Sequence, residues 1–239
     1  MNSRVHRSFF ATLVLLLGCQ TASAMLITTN PFTVVGNLDA NNTALVQFDI
    51  ISATTTTLNL DVTITNTSAM YDPIITGFAF NSPNAIASLD TFSFVGVSGW
   101  GALLDPSEIS TPQQFGMFDI CAEEGNNHGN CSGGNPNNGI DRFAPNNVAT
   151  FSFGFSGSGL DALDVFSFLS EVSSDENDGQ GGHTPVGFLA RFQGTGADGG
   201  GSDVAVPGTP PLKLSEPGTL ALFGIGLLGA GLSRRRRRT

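Results

Sequence analysis

From residue 58 to 65 apolar and polar side chains alternate without a break. Leu58, Leu60, Val62 and Ile64 fall on one side of an extended chain, and Asn59, Asp61, Thr63 and Thr65 on the other. A period of two gives a strand one face to bury and one to wet. The pattern recurs through Val46, Phe48 and Ile50, Phe78 and Phe80, Phe92 and Phe94, Phe151, Phe153 and Phe155, Phe166 and Phe168, and Phe188, Ala190 and Phe192. Turn-forming clusters of Gly, Asn and Pro at 81–84 and 133–139 separate these runs. No long segment has the 3.6-residue period; Asp105 and Pro106 suit the cap and first turn of one short helix. The expected fold is all-β: an antiparallel β-sandwich, jelly-roll-like, of about 8–11 strands. The 19 phenylalanines suit such a core, because they bury a large area with no polar atom to satisfy. Trp100, the one tryptophan, lies between Gly99 and Gly101. It fits either a plug at the end of the sandwich or a ring that stacks on a sugar.

Both ends depart from this pattern. Arg4, His6 and Arg7 precede an apolar run at 9–17, and Ala22 and Ala24 stand at the small-residue positions that signal peptidase reads. The run is shorter than the roughly 20 residues of a span, so 1–24 reads as a cleaved signal peptide. Cys19, after Leu16, Leu17 and Gly18, forms a competing lipoprotein box. A body at 25–206 follows, then a stiff Pro/Gly linker at 207–214. Residues 215–239 begin with Ser215, Glu216 and Pro217, continue as an apolar stretch at 218–232, and close on Arg234, Arg235, Arg236, Arg237 and Arg238. As a helix the stretch measures about 22 Å, short of the ~30 Å hydrocarbon core. The arginines favour retention on the cytoplasmic side. The G-x-G-x-x-G at 224–229 is no dinucleotide fingerprint, since too little chain follows it to supply the acidic partner.

The order of signal peptide, Glu216-Pro217, short span and terminal arginines resembles the PEP-CTERM sorting signal of Gram-negative, biofilm-forming bacteria. Ser215 stands where that motif usually has its first Pro. The resemblance implies recognition by an exosortase, with cleavage near the motif. It also implies transient residence of a short transmembrane helix in the inner membrane, then release to the cell surface or extracellular matrix. The segments at 115–119, 133–140, 188–194 and 201–204 are similar to β-rich bodies of other PEP-CTERM proteins.

All 20 acidic residues lie between Met25 and Pro217, against Arg142, Arg191 and Lys213. Such a balance excludes nucleic acid as a partner. Cys121 and Cys131 are expected to form a disulfide in an oxidising compartment. Between them Glu123 and Glu124, and further on Asp175, Glu176 and Asp178, are oxygen ligands of the kind calcium takes, although neither loop has the EF-hand pattern. Arg191 sits mid-strand, where a carboxylate on the same sheet is its natural partner. A resident cofactor is not expected. Catalytic signatures fail: Ser156 lies in a run with Ser158 in place of the closing Gly of G-x-S-x-G, and no H-E-x-x-H occurs. The leading expectation is a non-enzymatic surface or matrix protein. A carbohydrate- or calcium-binding module of the exopolysaccharide matrix stands second, with Trp100 as glycan contact, and a secreted hydrolase third.

Overall fold

The structure, a computed structural model, describes residues 27–28, 31–110, 115–125, 131, 134, 136–173 and 185–207. Its strands are β1 (Ile27–Thr28), β2 (Phe32–Gly36), β3 (Thr43–Ala53), β4 (Thr57–Asn66), β5 (Ile74–Phe80), β6 (Ile86–Val95), β7 (Trp100–Ser110), β8 (Met117–Glu124), β9 (Val148–Gly157), β10 (Phe188–Gln193) and β11 (Ser202–Pro207). One α-helix, α1 (Val165–Leu169), and two 3-10 turns complete the set. Every strand pairing is antiparallel.

The strands form one sheet in the order β6-β9-β4-β3-β2-β11-β10-β5-β8-β7, with β1 added beside β3. Strand β2 pairs with β3 on one side and β11 on the other, so it carries the ladder from one half to the other. The end strands β6 and β7 are consecutive in the chain, linked by residues 96–99, and lie against each other. The sheet therefore curls nearly into a barrel. Two separate sheets were expected; the short β2 replaces the break between them.

The alternation at 58–65 is realised residue by residue, with Leu58, Leu60, Val62 and Ile64 buried in β4. Phenylalanines from opposite halves meet inside. Phe78 of β5 lies 4.8 Å from Phe151 of β9, and Phe80 meets Phe153 edge-on at 5.5 Å and Phe48 at 5.3 Å. Each such ring contributes about 1.5–3 kcal/mol by leaving water. Phe92 and Phe94 on the end strand β6 are only partly buried against this core.

A second, smaller apolar cluster covers the outer face of the β7–β8–β5–β10 half. Leu103, Cys121, Ala79 and Leu189 stand side by side across four strands, capped by Phe115, Cys131 and Val186. These strands are thus buried on both faces, which removes the polar alternation from β5 and β8.

Three local expectations are corrected. Phe166 and Phe168 belong to α1, not to a strand. Asp164 accepts from the Ser167 backbone N–H at 2.8 Å, and Ser167 Oγ accepts from the Asp164 N–H at 3.1 Å, a reciprocal cap that starts the helix. The helix expected from Asp105 lies instead within β7, where the ladder to β8 slips between Leu104 and Ile109. Pro207, expected in the linker, pairs with Val34 as the last residue of β11.

Candidate functional site

The cysteines sit where the sequence pairs them. Cys121 of β8 and Cys131 form a disulfide with Cα atoms 5.8 Å apart. Both cysteines belong to the outer cluster.

Glu123 and Glu124 do not make the expected calcium pair. They are consecutive in β8, so the sheet itself separates their side chains, and both are buried. Glu123 is aligned with Gly77 of β5, which is aligned in turn with Arg191 of β10. Gly77 has no side chain, so carboxylate and guanidinium face each other across it. Burial pulls the Arg191 guanidinium below its ordinary pKa, and the Glu123 charge opposes that shift. The mid-strand Arg191 therefore has its carboxylate partner two strands away.

Glu124 points toward one end of the barrel. Its Oε1 accepts from Asn138 Nδ2 at 3.0 Å. Trp100, opposite Glu124 in the ladder, is only 6 % exposed. Its ring packs on Phe151 at 4.7 Å and on Phe78 at 6.1 Å, and its Nε1 donates to the Asn138 carbonyl at 3.0 Å. With its faces against phenylalanine it offers no platform to a sugar. The β6–β7 turn that leads into it needs glycine: Gly96 and Gly99 take left-handed φ values of 94° and 72°.

Above Trp100 lies an open groove of about 420 Å³. Its walls come from the β6–β7 turn (Gly96, Val97, Ser98), the start of β5 (Ile74) and the segment holding Asn137, Asn138, Gly139, Asp141 and Asn146. That segment is tied to β5 by a two-way bridge, Ile140 N–H to Ile75 O at 2.9 Å and Ile75 N–H to Ile140 O at 3.0 Å. Buried Asn66 adds a tie from β4, its Nδ2 donating to the Pro73 and Ile140 carbonyls at 2.8 and 3.0 Å. Arg142 reaches Asp72 at 3.5 Å and covers one face of the Phe143 ring at 4.3 Å. No sequence signal isolates this groove, because its residues are dispersed turn formers that only the topology gathers.

Ser156 lies in β9 with its Oγ bonded to Ser88 and Asp90, not on a nucleophile elbow. Among the described residues no three His, Cys, Asp or Glu side chains converge on a point where a metal could sit. Among them, too, no helix is long and apolar enough to cross a membrane. Asp175, Glu176 and Asp178, the signal peptide at 1–24, the span at 218–232, Ser215, Glu216, Pro217 and the arginines at 234–238 lie outside the described residues.

The described body is thus an all-β, disulfide-stapled unit with a polar groove at one end. A family model described as the PEP-CTERM protein-sorting motif matches residues 215–238. The chain carries a PEP-CTERM sorting tail, and that tail implies an exosortase as its processing partner, with export and membrane-associated sorting toward the surface. Neither a curated protein nor a solved structure matches the chain.

Proposed function

We propose that the chain is a non-enzymatic protein of the cell surface or extracellular matrix, exported by its signal peptide and cleaved by an exosortase near Ser215-Glu216-Pro217. The observation that carries this reading is the sorting motif at 215–238. The disulfide Cys121–Cys131 fits an oxidising compartment. The curled sheet reads as a flattened, jelly-roll-like sandwich whose halves meet through Phe48, Phe78, Phe80, Phe151 and Phe153. Such a body needs no resident cofactor; Asp175, Glu176 and Asp178 remain the calcium candidates.

The test is the fate of the tail. In exosortase-positive cells the mature protein should lack Arg234 to Arg238 by mass spectrometry. A Glu216→Ala, Pro217→Ala double variant should keep them and stay in the membrane fraction. Full-length protein that persists in exosortase-positive cells overturns the reading.

A further inference from the structure

The groove above Trp100 is a built surface rather than a loose gap between turns. Asn138 is held on three sides. Its carbonyl accepts from Trp100 Nε1 at 3.0 Å, its Oδ1 accepts from Ser98 Oγ at 3.3 Å, and its Nδ2 donates to the buried Glu124 at 3.0 Å. Gly139 passes so close to Ile74 and Ile75 that a Cβ there would collide with both. The floor is therefore fixed before any ligand arrives, which removes an ordering cost from binding.

The lining selects a ligand class. Among the described residues no Lys or Arg lines the groove, and the neighbouring Arg142 is engaged by Asp72 and the Phe143 ring, so phosphate and other anionic groups find no lining counter-charge. Asp141 is its one carboxylate, too few for a calcium ion that takes six to eight oxygens. What remains is an amide-rich wall with small apolar patches at Val97 and Ile74. An amide offers a donor and an acceptor in one plane, and a carboxylate accepts from two hydroxyls; both match vicinal hydroxyl groups. Asp141 Oδ1 accepts from the Phe143 N–H at 3.2 Å, and Asn146 N–H donates to the Phe143 carbonyl at 3.1 Å. Two residues from Asp141, the Phe143 ring is 54 % exposed; Arg142 covers one face, and the other is an apolar face of the kind that packs against the C–H side of a sugar ring.

We propose that this groove binds a neutral, hydroxyl-rich ligand, a segment of oligosaccharide, with Asp141 and Asn146 reading hydroxyls and Phe143 packing on the ring. The proposal rests on the surface-protein reading only for where such a ligand is met. Its volume lies within the range of small-molecule sites, about 300–1,000 Å³, and has room for a short piece of chain rather than a long one.

The chain's only tryptophan is bonded to the groove floor, so its emission reports entry of a ligand. The experiment titrates the full-length chain, in a detergent without a sugar headgroup, with neutral cello-, malto-, laminari- and chito-tetraose. A polyuronate tetramer is the charged comparator, and calorimetry runs in parallel. At least one neutral tetraose should bind saturably. Asp141→Ala and Asn146→Ala should each weaken it about tenfold or more, and Phe143→Ala comparably. Asn59→Ala, on the exposed face of β4 away from the groove, should leave it unchanged. All variants are compared at equal unfolding midpoint. No saturable binding of any neutral tetraose by either readout, preference for the polyuronate, or equal affinity in the groove variants overturns the proposal. Tail retention in cells would sink the sorting reading and leave this result standing, so the two failures are distinguishable.

Discussion

Asp203 gives the sharpest test of how the two halves of the sheet are joined. It is 3 % exposed, and its carboxylate accepts four hydrogen bonds. Leu38 N–H (3.0 Å) and Val204 N–H (2.8 Å) reach Oδ1; Asp39 N–H (3.1 Å) and Asn42 Nδ2 (2.9 Å) reach Oδ2. The carboxylate thereby ties the β2–β3 turn to β11 at the point where the ladder passes between halves. Each hydrogen bond to a buried charge nets about 1.5–3 kcal/mol. Removing all four by Asp203→Ala would cost more than that, but the turn lies near the surface and its freed N–H groups can reach water. The expected loss is about 3–5 kcal/mol, or about 6–20 °C in Tm for a body of this size. Asp203→Asn keeps the shape but presents an NH₂ group to donors. Asn42 softens that clash, since its buried Oδ1 has no partner among the described residues and a flip of its amide can bring that oxygen round. The expected loss is about 2–3 kcal/mol. Asn42→Asp alone sets two carboxylates together and destabilises as well. The exchange Asp203→Asn with Asn42→Asp restores one acceptor facing one amide, so it should be more stable than the sum of its parts by about 1 kcal/mol or more. Urea unfolding followed by Trp100 emission measures all four corners. Additive single effects, or an alanine cost below about 1 kcal/mol, would refute the latch.

The Glu123–Gly77–Arg191 row predicts that Glu123→Gln or Arg191→Met alone costs about 3 kcal/mol, because each leaves a buried charge behind, while the double variant costs less than either; denaturation midpoints decide, and a double variant worse than both singles contradicts the pairing. Reduction, or Cys121→Ser with Cys131→Ser, should remove about 3 kcal/mol for so short a loop, read as a lower urea midpoint under reductant. Trp100→Phe should cost about 1–2 kcal/mol for the lost bond to Asn138, against about 3–5 for Trp100→Ala, as measured by calorimetric Tm shifts; equal costs would mean that the indole N–H contributes nothing.

Strand identity was legible wherever one face is wet. In β3 and β4 the alternation printed in the sequence is the alternation of burial. The polar half of the code is erased in β5 and β8, because the outer cluster covers their second face; β5 was still legible from the spacing of Phe78 and Phe80. At 166–168 the alternation of Phe and Ser imitates a strand, and only the Asp164–Ser167 cap distinguishes a helix. The disulfide was legible because two cysteines in one body allow a single pairing. The calcium reading of Glu123 and Glu124 failed for the reason that makes β8 a strand: neighbours point apart. Trp100 failed as a glycan contact because sequence shows a tryptophan between glycines but not which way the turn aims it. Pointing inward, it fixes the floor of the groove instead of lining it.

The ladder also fixes where the groove lies relative to the chain ends. Gln193 pairs with Ile74 at the groove, and Ser202 pairs with Gln193, so β11 begins at the groove end and runs away from it. At about 3.4 Å per residue its six residues carry the chain about 20 Å before it leaves at Pro207. At the other terminus Ile27 pairs with Ile50, late in β3, whereas Thr43 at the start of β3 pairs with Val35, which pairs in turn with Val206 near the end of β11. Both β3 and β11 therefore run away from their groove-side starts, with Ile27 beside the late part of β3 and Pro207 as the last residue of β11.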